Sequence, residues 1–171
     1  KDLLVLNFAC IDEGFAYRAS HPKARHVNLP KPKPRWKNHM LITGSEAMGL
    51  GIIHAGCRFY AGYPMTPTSS LIGYVAKVQN QTGMIVKQAE DEITAAQIVS
   101  GAYFMGTRAM VGTSGGGFDL MTETLSMDSM IENPTVFVLG QRPGPATGVP
   151  TWTTQGDLLL AVNAGHGEFP R

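Results

Sequence analysis

Three carboxylates stand side by side in the middle of the chain, at Glu90, Asp91 and Glu92, and a mostly apolar segment, residues 93–99, follows them directly. A carboxylate that opens an apolar helix is expected to lie partly in low dielectric, where its charged form is disfavoured and its proton is available for chemistry. The alternative is that these carboxylates only complement the dipole of a helix that begins here. That alternative explains Glu90 and Asp91 better than Glu92, which is continuous with the apolar face.

A stretch with two prolines, Tyr63-Pro64-Met65-Thr66-Pro67, lies upstream of the acidic triplet. Proline fixes the backbone, so the hydroxyl of Thr66 is aimed with little freedom. The same pattern predicts that Thr66 caps a helix whose first position is Pro67. Capping and ligand contact are compatible, because one loop can do both.

Three consecutive glycines follow a strand-like segment, in Thr113-Ser114-Gly115-Gly116-Gly117. We expect a tight glycine loop here, whose backbone N–H groups can approach an anion or a flat ring closely. The alternative is a strand-to-helix turn with no ligand. The stretch lacks the GxGxxG and Lys-Ser/Thr patterns of nucleotide sites, so it is a weak phosphate signature.

A long loop rich in Gly, Pro and Thr is predicted over residues 140–156, and a loop of this length is expected to be functional. Its one cation is Arg142, and a guanidinium binds a carboxylate substrate through two parallel hydrogen bonds. The alternative for Arg142 is a surface ion pair with Asp157 or Glu168.

Other reactive side chains do not combine into a site. His54 lies in an apolar helix and is expected to be a core histidine, whereas His166 could face the ligand edge but has no metal-ligand partner at useful spacing. No Ser/His/Asp nucleophile arrangement can be assembled, and we expect no metal site. Cys10 and Cys57 stand far apart without a CxxC spacing, which argues against a disulfide framework or a zinc or iron–sulfur site and favours a reducing, cytoplasmic setting.

Short apolar segments alternate with longer helix-like ones beyond residue 41. This alternation predicts an α/β fold, a three-layer open parallel sheet covered by helices on both faces. Because ligands bind at the carboxyl ends of such strands, the four stretches described above are expected to converge on one edge. Thr43 and Glu46 have the spacing of a capping box at the first helix. The predicted helices span residues 44–55, 67–78, 92–105, 118–131 and 158–162, the last capped by Asp157, and the predicted strands span 58–61, 84–87, 108–113 and 135–139.

Bulk composition fits one globular domain with an N-terminal arm. The chain has 171 residues, of which 43% are hydrophobic, and no run approaches the ~18 apolar residues of a membrane span. Residues 1–40 hold eight Lys/Arg and three Asp/Glu, against six and ten in the remainder. We expect an apolar opening, Leu3–Phe8, that is a strand or the end of a preceding domain, and an extended proline-rich linker over residues 21–38. A nucleic-acid patch is the alternative that we do not favour. Both ends of the chain suggest a piece of a longer polypeptide, with residues 41–171 as its α/β domain.

Four ordered stretches, between Gly44 and Arg171, resemble the α subunit (domain I in single-chain members) of the thiamine-diphosphate-dependent 2-oxoacid:ferredoxin oxidoreductases. They are GSEAMGLGIIHAGCRFYAGYPMTPTSS, EDEITAAQIVSGAYFMGTRAMVGTSGGGFDLMTE, GQRPGPATGVPTWTTQGDL and GHGEFPR. The pattern is more similar to the 2-oxoglutarate-type, multi-subunit members than to the single-chain pyruvate type. The resemblance implies a pyrimidine-type thiamine-diphosphate-binding fold and oxidative decarboxylation of a 2-oxoacid, of the 2-oxoglutarate or pyruvate class, to acyl-CoA with electrons passed to ferredoxin.

The resemblance also implies roles for individual residues. Glu92 matches the glutamate that hydrogen-bonds a ring nitrogen of the cofactor's aminopyrimidine and promotes its imino tautomer, with Glu90 as the less favoured candidate. Thr66 matches a threonine near the substrate. Arg142 is the candidate for the substrate carboxylate, and Thr147 is assigned to the substrate with it. The residues assigned to the cofactor besides Glu92 are Tyr63, Pro64, Ser114 and Gly115.

The chain departs from the family pattern at two places. It has Ser114-Gly115-Gly116-Gly117 where the family usually has Ser-Gly-Pro-Gly, so we expect a more flexible loop. It has Thr68-Ser69-Ser70 where the family often has Ser-Thr-Glu, which removes an acid from the rim. Both departures bear on substrate identity more than on chemistry.

The resemblance implies that the chain works with partners. The magnesium–pyrophosphate site and the iron–sulfur clusters are expected on a β subunit or other domains of a hetero-oligomer, with ferredoxin, a 2-oxoacid and coenzyme A as further partners. Two other interpretations stay open: a thiamine-diphosphate decarboxylase-type subunit that makes no use of ferredoxin, and a non-catalytic scaffold paralogue. Retention of Glu92, Thr66 and Arg142 together argues against the scaffold.

Overall fold

The structure, a computed structural model, describes residues 2–21, 30–31, 33–141 and 158–169. The chain divides into two compact units, Lys1–Met40 and Leu41–Arg171. In the first unit, helix α1 spans Asp2–Ser20 and a single 3-10 turn spans Pro34–Trp36. The strand considered for Leu3–Phe8 is wrong: the segment lies within α1, because the apolar run continues into a longer stretch without proline in which Leu, Ala and Glu favour the helix. Much of the linker predicted for residues 21–38 lies outside the described residues.

The second unit is built on a sheet of four parallel strands. Strand β1 spans Phe59–Gly62, β2 spans Ile85–Gln88, β3 spans Ala109–Ser114 and β4 spans Val136–Gly140. Their order is β2-β1-β3-β4, so β1 and β3 are central. The predicted open parallel sheet is confirmed.

Helices cover both faces of this sheet. Within the described residues of the second unit they are α2 (Gly44–His54), α3 (Ser69–Thr82), α4 (Glu92–Phe104), α5 (Gly115–Met130) and α6 (Leu158–Asn163). One core cluster lies on the side of α2 and α3, and another lies on the side of α4 and α5, which makes three layers. The first contains the buried side chains of Tyr60, Leu71, Val75 and Met110, and the second those of Ala61, Ala95, Val99, Val111 and Met121. None of the helices in the described ranges has the length and apolar character of a transmembrane span.

Two helix starts test the capping predictions. The capping box at Thr43 and Glu46 is confirmed, because the Glu46 N–H donates to Thr43 Oγ1 (3.2 Å) and the Thr43 N–H donates to Glu46 Oε2 (2.7 Å). The prediction that Thr66 caps the next helix is wrong. Helix α3 begins at Ser69, because residues 66–68 form a turn that is closed by the Thr68 hydroxyl donating to the Met65 carbonyl (2.8 Å).

The predicted glycine loop is also wrong. Strand β3 continues to Ser114 and α5 begins at Gly115, so the three glycines form the first turn of the helix and no residue is left for a loop. Glycine disfavours a helix interior by about 1 kcal/mol relative to alanine, and the first turn therefore needs a packing reason to contain three of them. For Gly117 that reason is close contact with neighbouring side chains, described below.

Candidate functional site

The carboxyl ends of the four strands meet at one edge of the sheet, as parallel pairing requires. Gly62 pairs with Gln88 and with Gly112, and Ser114 pairs with Gly140. The segments that follow these strands bring three predicted site regions to this edge: the turn that contains Thr66, the start of α4 at Glu92, and the start of α5 at Ser114. The loop residues Arg142 and Thr147 lie outside the described residues.

Glu92 is the first residue of α4 and is buried, with 5% of its surface exposed. The capping role falls to Asp91, whose carboxylate accepts a hydrogen bond from the Thr94 N–H at 2.7 Å. This bond, aided by the Thr94 side chain, lowers the pKa of Asp91 below its ordinary value. No described residue donates a hydrogen bond to the Glu92 carboxylate. Stabilisation of the helix dipole and cap therefore explains the presence of Asp91. It does not explain the presence of Glu92.

The Glu92 side chain packs against the first turn of α5. A Cβ added to Gly117 would lie 2.8 Å from Glu92 Cγ and 3.0 Å from Glu92 Oε1. The carboxylate thus lies beside two helix N-termini, its own and that of α5, whose unpaired amides carry partial positive charge. A buried carboxylate held in this way can accept a hydrogen bond from a ligand N–H in a dry pocket.

Ser114 supplies a second free polar group at the same edge. It occupies the N-cap position of α5, yet its side chain makes no capping hydrogen bond. Its hydroxyl is buried, with 2% of the residue exposed, and finds no hydrogen-bond partner among the described residues. Because buried hydroxyls are nearly always paired, this unpaired hydroxyl at a strand end is a candidate partner for a ligand.

The two-proline turn forms an exposed part of the edge. Tyr63, Pro64 and Thr66 all expose substantial surface, and the Thr66–Pro67 peptide bond is cis. Thr68 is buried beneath the turn and joins it to α3. The Thr66 hydroxyl is therefore presented to the solvent side of the strand ends.

Neither histidine belongs to this edge. His54 is not the core histidine that the sequence predicted; it is exposed as the last residue of α2, where a cationic side chain would favour the helix dipole. His166 does not face the ligand edge, because its N–H donates to Ser126 Oγ (3.0 Å) and its carbonyl accepts from Ser129 Oγ (3.2 Å). Both serines lie in the last turns of α5, whereas Glu92 packs against the first turn of that helix. Within the described ranges, no three His, Cys, Asp or Glu side chains are grouped as metal ligands would be.

Residues 50–168 match the model of a family described as "Pyruvate flavodoxin/ferredoxin oxidoreductase, thiamine diP-bdg". This match covers well over half of the chain. The chain belongs to this family.

Named relatives place the chain among the 2-oxoacid oxidoreductase α subunits. It is 43% identical over 130 residues to the 2-oxoglutarate synthase subunit KorA of Archaeoglobus fulgidus, which covers 76% of this chain and 38% of that protein. It is 42% identical over 156 residues to the 2-oxoacid:ferredoxin oxidoreductase subunit alpha of Saccharolobus solfataricus, covering 84% and 24%. A solved structure of the 2-oxoglutarate:ferredoxin oxidoreductase from Magnetococcus marinus, with 2-oxoglutarate, coenzyme A and succinyl-CoA bound, superimposes with a TM-score of 0.74 at 39% identity, covering 98% and 29%. The chain therefore spans between about a quarter and two fifths of the length of these relatives.

The edge geometry is suited to the cofactor of the pyruvate flavodoxin/ferredoxin oxidoreductase family. A flat heterocycle with polar nitrogens needs an acceptor and a donor that the protein does not already use, and Glu92 and Ser114 are such groups. Sequence reasoning missed the contribution of Gly117. The available signal was the spacing of Gly117, Met121, Thr124 and Asp128, which places the glycine on the buried face of α5.

Proposed function

We propose that this chain supplies the aminopyrimidine-binding part of a thiamine-diphosphate-dependent 2-oxoacid:ferredoxin oxidoreductase of the 2-oxoglutarate type. The observation that carries the proposal is the buried Glu92 carboxylate, which has no hydrogen-bond partner among the described residues and lies beside two helix N-termini. The names of the relatives support the substrate class. The proposed reaction is oxidative decarboxylation of the 2-oxoacid to acyl-CoA, with electrons passed to ferredoxin.

The bound cofactor would supply the carbon nucleophile that allows a 2-oxoacid to lose CO₂. In our proposal the Glu92 carboxyl group would donate a hydrogen bond to a ring nitrogen of the aminopyrimidine and so favour transfer of its proton to that nitrogen. Ser114 and Gly115 would hold the ring from the start of α5, and Tyr63 and Pro64 would contact it from the β1 end. Glu92 is 5% exposed, and a ligand bound over its carboxylate would exclude the remaining water.

We assign substrate contacts to Thr66, Arg142 and Thr147. The guanidinium of Arg142 would hold the 2-oxoacid carboxylate, and the rigid turn would aim the Thr66 hydroxyl. Arg142→Ala is expected to raise KM for the 2-oxoacid by about 10- to 100-fold, since a charge-assisted hydrogen bond contributes about 1.5–3 kcal/mol. Arg142→Lys keeps the charge but loses the planar fork, so its KM should lie between those of the wild type and the alanine variant. An unchanged KM in Arg142→Ala would remove the arginine from the site.

The partners of the proposed enzyme are a β subunit with the magnesium–pyrophosphate site, and ferredoxin. Iron–sulfur clusters are placed on that subunit or on other domains of a cytoplasmic hetero-oligomer. The support is that a relative from Saccharolobus solfataricus is named as subunit alpha. Both cysteines of this chain are free thiols, in keeping with a reducing compartment.

The test is performed on the full complex that copurifies with this chain. 2-Oxoacid-dependent reduction of ferredoxin or a viologen dye is measured for the wild type and for Glu92→Gln, and bound thiamine diphosphate is quantified in parallel. We expect a loss of about 10²- to 10⁴-fold in kcat with the cofactor retained, as for removal of a general acid–base group. Glu90→Gln, at an exposed neighbouring carboxylate, is the matched control and should keep wild-type activity.

Other outcomes would redirect the proposal. Activity that survives Glu92→Gln would exclude Glu92 as the activating carboxylate. Turnover of the 2-oxoacid without reduction of either acceptor would favour a decarboxylase-type subunit. A complex with no bound cofactor and no activity on any 2-oxoacid would favour the scaffold.

A further inference from the structure

We propose that Gly117 is a positioning residue for Glu92: the absent side chain at this position of α5 is what allows the Glu92 carboxylate to lie against the helix start. The inference rests on the proposed role of Glu92. In this inference Gly117 contacts neither the substrate nor the cofactor, and it affects the reaction only through the position of the Glu92 carboxylate.

The space beside Gly117 is filled by two side chains. A Cβ at this position would overlap Thr113 Oγ1 and would lie 2.8 Å from Glu92 Cγ and 3.0 Å from Glu92 Oε1. Real Cβ atoms essentially never come within 3.0 Å of another heavy atom, so a neighbour must shift when a side chain is added. Both Thr113 and Glu92 are buried, which limits where they can go.

The helix itself is held in place, so it cannot move away from α4. Asp128, near the other end of α5, is buried and accepts hydrogen bonds from Ser100 Oγ (2.5 Å) of α4 and from Thr135 Oγ1 (2.6 Å). Between Gly117 and Asp128 along α5, Thr124 Oγ1 accepts a hydrogen bond from Gln97 Nε2 of α4 (2.9 Å). These bonds fix the axial position of α5 relative to α4. A methyl group at residue 117 must therefore displace side chains, and Glu92 is the one with a free carboxylate to swing away.

The neighbouring glycine shows that the requirement is local. A Cβ added to Gly116, one residue earlier in the same turn, would meet nothing within 4 Å. The same holds for Gly101, an exposed glycine on α4. Only Gly117 among these three is required for close packing, which separates positioning of Glu92 from a general preference for glycine.

The experiment compares Gly117→Ala with Gly101→Ala in the complete complex. For Gly117→Ala we expect kcat to fall by about 10²-fold or more while KM for the 2-oxoacid stays within about twofold, as for loss of an acid–base group. The circular dichroism signal of the bound aminopyrimidine should be lost or altered, a readout that does not depend on turnover. Gly101→Ala should match the wild type in both measurements, because its added methyl group meets no neighbour.

A double variant separates the Glu92 contact from the Thr113 overlap. Thr113→Ala/Gly117→Ala removes the shortest contact and is expected to assemble even if Gly117→Ala alone does not. Because the 2.8 Å approach to Glu92 Cγ remains, the double variant should stay as slow as Gly117→Ala, and Thr113→Ala alone should be active. Recovery of kcat and of the dichroism signal in the double variant would overturn the proposal. So would a Gly117→Ala complex that matches the wild type.

The result also distinguishes this inference from the proposed function. If Glu92→Gln is inactive and Gly117→Ala is normal, positioning by Gly117 is wrong and the role of Glu92 stands. If Glu92→Gln is fully active, the role of Glu92 fails and positioning by Gly117 fails with it, whereas the proposed function fails only if the wild-type complex binds no thiamine diphosphate and acts on no 2-oxoacid. Glu92→Gln combined with Gly117→Ala should be no slower than Glu92→Gln alone, because both changes remove the same interaction.

Discussion

Gly140, the last residue of β4, packs directly against Thr68, the residue before α3. A Cβ at Gly140 would lie 2.7 Å from Thr68 Cγ2 and 3.0 Å from Pro67 Cγ. On the adjacent strand β3, a Cβ at Gly112 would collide with the buried hydroxyl of Tyr60 and lie 3.8 Å from Thr68 Cβ. Glycines at the strand ends thus make room for the turn of residues 65–68, and this turn carries Thr66.

Gly140→Ala should therefore displace the turn. We expect a loss of about 1–3 kcal/mol in the free energy of unfolding, the usual cost of adding a methyl group to a packed site, together with a raised KM for the 2-oxoacid because Thr66 moves. Thermal unfolding and steady-state kinetics of the complex measure the two effects. Gly73→Ala on α3, where a Cβ meets nothing within 4 Å, is the control. If the two variants have the same free energy of unfolding and the same KM, packing against β4 does not hold the turn in place.

A second prediction concerns the buried Asp128, which joins α4, α5 and the segment before β4. Its carboxylate accepts hydrogen bonds from the side chains of Ser100, Asn133 and Thr135. Asp128→Ala leaves these donors short of a partner, so we expect a destabilisation of about 3 kcal/mol, at the upper end for buried unsatisfied groups. Asp128→Asn keeps part of the acceptor capacity and should cost less.

Urea unfolding measures the Asp128 effect, with Glu123→Ala on the exposed face of α5 as the control. Since these bonds also fix α5 against α4, Asp128→Ala should lower kcat through Glu92 as well. A variant as stable as Glu123→Ala would mean that the hydrogen-bond cluster does not hold the two helices together.

The strands and the capping box could be predicted because their signals are local. Strands β1, β3 and β4 contain mostly apolar residues, β2 begins with Ile85 and Val86, and Thr43 and Glu46 lie within one turn of each other. The role of Gly117 could not be found in this way, since it depends on contact with Glu92, which is 25 positions earlier in the sequence. The Thr66 cap failed for a related reason. Two hydroxyls, at residues 66 and 68, compete in that turn, and only three-dimensional packing on Gly140 decides between them.

The last prediction concerns Asp91, the N-cap of α4, whose pKa is lowered from 3.8 because its carboxylate accepts the Thr94 N–H. A lowered folded-state pKa means that the stabilisation is present above the unfolded value and is lost as pH falls through the folded value. Asp91→Ala should therefore lower the thermal midpoint near neutral pH, and its deficit relative to the wild type should shrink as pH falls below the ordinary value of 3.8. Asp91→Asn should retain most of the cap at neutral pH, because an amide oxygen accepts the same N–H.

The matched control for the Asp91 variants is Glu90→Ala, at an exposed carboxylate outside α4, whose midpoint should follow that of the wild type across the same pH range. Differential scanning calorimetry at a series of pH values measures all four proteins. A deficit of Asp91→Ala that is equal at neutral and acidic pH would show that the charge on Asp91 does not contribute to the cap. In that case the hydrogen bond from the Thr94 N–H, and not the charge of the carboxylate, would stabilise the start of α4.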